Sequence, residues 1–168
     1  MTKSETMTGV ADEKEPTSAG AVAEALDASK LEEFVGRFAG DLGAVLHAAT
    51  VLIGDQLGLY KAMADGRWLT SEELAEATGT HQRYVREWLA AQAASGYAAY
   101  DAATSRFRLT PEQAFALTSE ENPLFVPGGV QLAAATIADV DLIVNAFRTG
   151  SGVGWGEHHP DLVEGTLR

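Results

Sequence analysis

From Lys30 to Ala64, apolar residues recur at steps of three and four positions, which is the period of an amphipathic α-helix. The positions are Phe34, Phe38, Leu42, Val45, Leu46, Ala49, Leu52, Ile53, Leu57 and Tyr60. Glycines also lie in this run, and each costs about 1 kcal/mol relative to alanine inside a helix. They indicate either close approach of a second helix or a break into two helices between Gly40 and Gly43.

The next stretch, from Leu69 to Tyr100, predicts two short helices joined by a turn. Residues 70–73, "TSEE", form a capping box at the start of the first helix, and Gly79 ends it. Thr80 is the expected cap of the second helix, which ends at Gly96. One face of that second helix is predicted to be buried, namely Val85, Trp88, Leu89 and Gln92.

Two short segments with alternating polarity follow, "YAAY" and "RFRLT", separated by the turn sequence "DAATS". This pattern predicts a β-hairpin, the wing of a winged helix. Residues 110–113, "TPEQ", form a second capping box with proline at the first helical position. The predicted fold class is therefore mainly α: a winged helix-turn-helix with a short β-hairpin wing, flanked by long helices.

A further apolar helix is predicted after Asn122-Pro123, from about Leu124 or Gly129 to Phe147. Its apolar residues surround much of the helix, so it needs partners on more than one side. We expect a helical dimer interface, a further domain, or both.

These patterns predict four segments. Residues 1–28 are expected to be a disordered acidic tail, because they carry almost no large apolar side chain. Residues 29–120 form the winged-helix domain, and residues 121–149 form a long dimerisation or packing helix. Residues 150–168 are interpreted as a glycine-rich linker that leads into the start of a helix, and "GTLR" has no C-cap signal, so we expect the sequence to stop within an element.

Composition narrows the class of protein. The 168 residues contain no cysteine, which excludes disulfides and thiolate zinc sites. The N-terminus has no signal-peptide pattern. No run reaches the roughly 18 uninterrupted apolar residues of a membrane span, and "LAAATIADVDLIV" is interrupted by Asp139 and Asp141. We expect a soluble, cytoplasmic protein without a membrane partner.

Four arginines are candidates for DNA contacts: Arg83 and Arg86 in the second helix, and Arg106 and Arg108 in the wing. Residues 70–110 carry these four arginines against five acidic residues, and the whole chain has a formal charge of −12. DNA binding draws much of its affinity from neutralised phosphates, so this balance disfavours nucleic acid. A stand-alone winged-helix DNA-binding transcription regulator remains the alternative function, and a purely structural interaction module is a third.

The stretch "GLYKAMADGRWLTSEELAEATGTHQRYVREWLAAQAASGYAAYD…RFRLTPE" resembles the N-terminal winged-helix region of bacterial S-adenosylmethionine-dependent methyltransferases. The segment "VGWGEHHPDLVEGTLR" is similar to the part that joins this region to the catalytic domain. The resemblance covers about residues 34–168. It implies an N-terminal dimerisation and substrate-pocket-roof domain, a homodimer, and a small-molecule substrate in the full-length parent.

The resemblance also implies S-adenosylmethionine as the cofactor of the full-length parent, bound by a Rossmann-like domain. The parent is thus expected to be a methyltransferase. In this chain, "GSGVGWG" is the only glycine-rich candidate, and its alternating glycines do not match GxGxxG. No strand pattern precedes them. We therefore expect this chain alone to bind no cofactor and to be inactive.

Adjacent histidines beside acidic residues raise the possibility of a metal site, but neighbouring side chains point apart and no further ligand set is evident. We predict no metal site. By the resemblance, Trp155, His158 and His159 are candidates for the substrate pocket, with a histidine as base or hydrogen-bond partner. The other interpretation of these three residues is capping and packing at a domain junction.

Overall fold

The computed structural model describes residues 26–168, in which the chain forms eight α-helices and a two-stranded antiparallel sheet. The chain divides into two units between Asp41 and Leu42. The first helix, α1, spans Ala28–Gln56. The disordered tail predicted for residues 1–28 lies, up to residue 25, outside the described residues.

Helix α1 is continuous through Gly40 and Gly43, so the predicted break there is wrong. A helical glycine keeps its N–H donor, and the helix therefore continues at some cost in propensity. In the first unit, Arg37 pairs with Glu33 one turn away at 3.0 Å. The helix ends before Gly58, whose φ of 67° is the left-handed conformation that glycine adopts readily.

The winged helix lies in the second unit, and its elements follow the predicted order. They are α2 (Leu59–Ala62), α3 (Ser71–Thr78), α4 (Gln82–Ala94), β1 (Ala99–Asp101) and β2 (Arg106–Arg108). The first predicted capping box is confirmed: Thr70 Oγ1 accepts from the Glu73 N–H at 3.2 Å, and Glu73 accepts from the Thr70 N–H at 2.8 Å. Helix α4 is capped by His81 and not by Thr80, because the His81 ring accepts from the Arg83 N–H.

The predicted wing is confirmed and is extended by one further pairing. Strands β1 and β2 are antiparallel, with Tyr100 opposite Phe107. Leu69, which precedes α3, forms a bridge to the other side of Phe107, with two N–H···O bonds of 2.8 Å. The chain entering α3 is thereby attached to the wing, and the fold is a winged helix-turn-helix.

The core of this unit is built on the predicted buried face of α4, which is confirmed as Val85, Trp88, Leu89 and Gln92. Gln92 lies in a buried polar network. Its side-chain amide accepts from the Tyr60 hydroxyl at 2.6 Å and donates to Thr50 Oγ1 at 2.8 Å. The Trp88 indole N–H donates to the Thr50 carbonyl at 2.8 Å. These bonds join α1, α2 and α4 within the core.

The predicted single helix over residues 121–149 is instead two helices. After α5 (Pro111–Thr118), which begins with the predicted Thr110–Gln113 capping box, come α6 (Val126–Ala138) and α7 (Val140–Thr149). The axes of α6 and α7 differ by 52°. The bend is at Asp139, whose side chain bonds to a later segment.

Residues 150–168 are not simply a linker. A short 3₁₀ turn, Trp155–Glu157, leads to α8 (Pro160–Leu167), which packs against α6. Gly128 and Gly165 face each other at the crossing. A Cβ added at Gly165 would lie 2.7 Å from the Gly128 carbonyl oxygen and 2.7 Å from the Leu132 nitrogen. The two backbones therefore approach too closely for any side chain at this position.

We expect Gly165→Ala to destabilise the α6–α8 packing by about 1–3 kcal/mol, because backbone atoms must move to accept the methyl group. Gly129→Ala is the matched control, since a Cβ there meets nothing within 4 Å. Urea unfolding of the two variants checks this. Equal midpoints for the two variants would contradict the close packing of α6 and α8.

Candidate functional site

Asp139 lies at the junction of α6 and α7, with its side chain only 9% exposed. Its carboxylate accepts the His159 backbone N–H at 3.0 and 3.1 Å. Oδ2 is also 2.7 Å from Nδ1 of His158. Since a buried carboxylate requires compensating partners, these bonds explain both the bend and the position of the following segment. We refer to the two side chains as the Asp139–His158 pair.

Electrostatics in the Asp139–His158 pair favour the ionised carboxylate. The hydrogen bond from His158, followed by the bond from the His159 backbone N–H, lowers the pKa of Asp139 below its ordinary value, although burial acts in the opposite direction. Asp139 is therefore an anion at neutral pH. A charged acceptor at 2.7 Å holds the His158 ring strongly.

The structure brings Trp155 and His158 together and separates them from the His159 side chain. The Trp155 and His158 ring centroids are 6.1 Å apart in an edge-on arrangement. His159 instead caps α8, where its Nδ1 accepts from the Asp161 N–H at 3.3 Å. Of the three candidate pocket residues, Trp155 and His158 thus lie together, and His159 has a capping interaction.

Sequence reasoning missed Asp139 as part of this site. An acidic residue within the apolar stretch "LAAATIADVDLIV" was the available signal, because an isolated carboxylate among apolar residues needs a partner. The partner lies 19 positions away in the chain. Spacing alone could not have identified it.

We expect Asp139→Asn to lower stability near neutral pH and to lose this deficit in acid. Because the pKa of Asp139 is lowered in the folded protein, its contribution to the free energy of unfolding is fully present above the ordinary pKa of 3.8. That contribution is lost as the pH falls below this value. The measurement is the urea midpoint of both proteins at about pH 6 and about pH 2.5. A difference between them that persists unchanged in acid would contradict the assignment.

The two wing arginines proposed for DNA contact are engaged within the domain. Arg106 pairs with Glu73 at 2.9 Å and donates to the Trp68 carbonyl at 3.0 Å. The guanidinium of Arg108 stacks over the Trp68 ring, 4.7 Å from its centroid. Both side chains therefore stabilise the attachment of the wing to the segment before α3.

On α4, Arg86 pairs with the adjacent Glu87 at 2.9 Å, and Arg83 is exposed. Beside this helix, a groove of 820 Å³ separates α4 from the wing. Its lining includes Ala90, Ala93, Ala94, Tyr100 and Phe107, with Glu72, Gln82, Arg86 and Glu87 among its polar residues. Two carboxylates against one guanidinium make this groove a poor surface for phosphates.

The glycine-rich segment does not fit a dinucleotide-type cofactor. Gly150 ends α7 with a φ of 72°, so the segment follows a helix and not a strand. The strand–turn–helix arrangement that presents backbone N–H groups to a cofactor phosphate or ribose is therefore not formed by residues 149–168. Among residues 26–168, no group of three or more histidine and acidic side chains has an arrangement suited to a metal ion.

Large apolar side chains are exposed on several helices. In the first unit, α1 exposes Leu31, Phe34, Val35 and Phe38. In the second unit, the exposed residues of α1 and α6–α7 include Leu42, Val45, Leu46, Ile53, Ile137, Val140, Val144 and Phe147. By length and composition alone, α1 could cross a membrane, as could the bent α6–α7 pair. Exposed apolar patches are a common feature of surfaces that bind a partner.

The sequence profile of the Rv2258c-like winged HTH domain matches residues 45–119. Residues 45–119 are thus similar to that domain. They contain the confirmed capping boxes, the buried face of α4 and the wing. No curated protein sequence matches the chain.

Two solved structures share the fold of most of this chain. The structure of PigF with SAH matches with a TM-score of 0.58 and 16% identity, over 84% of this chain and 43% of that chain. The mitomycin 7-O-methyltransferase MmcR matches with a TM-score of 0.58 and 22% identity, over 88% of this chain and 44% of that chain. The chain thus spans less than half the length of each.

Proposed function

We propose that this chain is the N-terminal dimerisation and substrate-pocket-roof domain of an S-adenosylmethionine-dependent methyltransferase acting on a small molecule in the cytoplasm. The observation that carries the proposal is the shared fold over 88% of this chain with MmcR, a 7-O-methyltransferase. The bound SAH of PigF is the product that S-adenosylmethionine leaves after methyl transfer, and it supports the same cofactor for the parent.

The site residues support a binding role more than a catalytic one for this chain alone. Residues 150–156 lack the arrangement of a cofactor loop, whereas Trp155 and His158 present an aromatic ring and an imidazole at one position. In the parent, this position would contribute to the wall of the substrate pocket. The cofactor and the reaction belong to a catalytic domain outside these residues.

Isothermal titration with S-adenosylmethionine, beside sedimentation equilibrium, tests the proposal. We expect no cofactor binding and a mass of twice 17.7 kDa. Cofactor binding at micromolar affinity by the chain itself would overturn the assignment of cofactor binding to a separate catalytic domain. A parent reading frame that continued past residue 168 without a strand and a glycine-rich turn would overturn the methyltransferase assignment.

Leu46→Glu is expected to convert the dimer to a monomer. Leu46 is 65% exposed on α1, so a charge there costs little in the monomer but would be buried unpaired in the interface. Leu124→Glu is the matched control, because Leu124 is 66% exposed and lies outside α1. Sedimentation equilibrium should show a monomer only for Leu46→Glu. Two dimeric variants would remove α1 from the interface.

A further inference from the structure

We propose that Asp139 fixes His158 in the tautomer with a bare Nε2, and that this nitrogen and the Trp155 ring together bind a hydroxylated aromatic small molecule. Asp139 is a positioning residue in this scheme, and His158 is the residue that contacts the ligand. The inference rests on the proposed function only in taking this ligand to be the substrate of the parent enzyme.

The tautomer follows from which atoms of the Asp139–His158 pair can donate a hydrogen bond and which can only accept one. An ionised carboxylate can only accept, so the 2.7 Å contact with Asp139 requires that His158 Nδ1 carry a proton. In the neutral imidazole the other nitrogen, Nε2, then has a lone pair and no proton. Asp139 cannot donate this hydrogen bond, because the same bonds lower its pKa and keep the carboxyl group ionised.

The Nε2 atom is available to a ligand. No side chain or backbone group of residues 26–168 makes a hydrogen bond to it, and it is not among the fully buried polar atoms without a partner. The His158 side chain is 19% exposed, so part of the ring remains accessible although Nδ1 is held by Asp139. A preorganised acceptor of this kind favours an O–H donor over an acceptor group.

Trp155 supplies the apolar part of the same position. Its side chain remains 64% exposed although it lies beside His158. An exposed indole next to a fixed acceptor provides stacking surface for a flat ring, and such combinations of aromatic walls with a few placed polar groups are typical of small-molecule sites. A ligand with a ring and a hydroxyl group satisfies both.

The structure distinguishes His158 from His159. The Nδ1 of His159 accepts a hydrogen bond from a backbone N–H of α8, so this nitrogen carries no proton. It therefore cannot donate to the Asp161 carboxylate, which lies 3.6 Å away. His159 therefore has a capping interaction in place of a fixed partner carboxylate. This difference provides an internal control, because removing Asp161 should leave His158 unchanged.

The tautomer is tested by long-range ¹H–¹⁵N correlation spectra of the full chain labelled at histidine, recorded for the wild type, Asp139→Ala and Asp161→Ala. We expect His158 with a protonated Nδ1 and a bare Nε2 in the wild type and in Asp161→Ala. In Asp139→Ala the Nε2-protonated form should predominate. A wild-type His158 that is already protonated at Nε2 would overturn the proposal, whether or not the variants fold.

The ligand class is tested with 2-naphthol and its methyl ether, 2-methoxynaphthalene, by isothermal titration calorimetry of every variant, with the His158 Nε2 shift as a second readout where His158 is retained. We expect about tenfold tighter binding of 2-naphthol, the effect of one hydrogen bond. His158→Phe should remove the preference, and Trp155→Ala should weaken both probes alike. Equal affinities in the wild type, or no binding of either probe, would overturn the ligand assignment.

These outcomes are independent of the test of the proposed function. A monomeric chain, or one that binds S-adenosylmethionine, would refute the dimerisation-domain proposal while leaving the tautomer of His158 as measured. Conversely, a dimer that binds no cofactor would still support the dimerisation-domain proposal even if His158 Nε2 proved to be protonated.

Discussion

Gly54→Ala is expected to destabilise the winged-helix core by about 1–3 kcal/mol or more, the range for overpacking a rigid site. A Cβ at Gly54 would lie 2.5 Å from Cζ2 of Trp88 and 2.6 Å from Cε2 of Tyr60. Neither ring can yield freely, because the Trp88 indole is bonded to the Thr50 carbonyl and the Tyr60 hydroxyl to Gln92. The methyl group must therefore displace the core or α1.

Gly43→Ala on the same helix is the matched control, and its effect should have the opposite sign. A Cβ at Gly43 meets nothing within 4 Å, so the higher helix propensity of alanine should stabilise by up to about 1 kcal/mol. Denaturant unfolding of both variants measures the two changes in stability. Destabilisation by both substitutions would mean that helix propensity does not determine the stability change at Gly43.

Gln92→Leu is expected to cost about 2–4 kcal/mol, because it removes two hydrogen bonds from a fully buried side chain. The Tyr60 hydroxyl would be left without its acceptor. Burial raises the pKa of Tyr60, with smaller effects from Tyr97 and Asp55, so this hydroxyl stays a protonated donor and cannot escape the loss by ionising. Thermal or urea unfolding measures the change.

A double-mutant cycle with Tyr60→Phe separates this loss from a simple change of shape. In the Tyr60→Phe background, Gln92→Leu should cost about 1 kcal/mol less, because the orphaned hydroxyl is gone. Gln82→Leu is the control for the same substitution outside the core, since the Gln82 side chain bonds to Ser71 and Glu72 near the surface. Additive effects of Tyr60→Phe and Gln92→Leu would show that the 2.6 Å hydrogen bond contributes nothing measurable.

The candidate site was only partly accessible to sequence reasoning. The resemblance to methyltransferases indicated Trp155, His158 and His159, and the structure places the first two together. The resemblance did not indicate Asp139, which orients His158. The long helix predicted through this residue was wrong for the same reason, because Asp139 turns the chain to bond with a segment that periodicity cannot detect.

Charge alone could not show where the arginine side chains lie. The excess of acidic residues disfavoured DNA, but only the structure shows that Arg106 pairs with Glu73 and that Arg108 stacks on Trp68. These partners lie more than 30 positions from the arginines along the chain. Whether a guanidinium is available to a phosphate depends on such contacts and not on its count.

What the sequence by itself determined is the local structure, since its signals act over three or four residues. The capping boxes at 70–73 and 110–113, the buried face of α4 and the hairpin all followed from spacing. Tertiary structure alone decided the Asp139–His158 pair, the Gly128–Gly165 crossing and the close fit at Gly54. Each of these joins residues distant in the chain, and their energies depend on distances of 2.5–3.0 Å that no local pattern encodes.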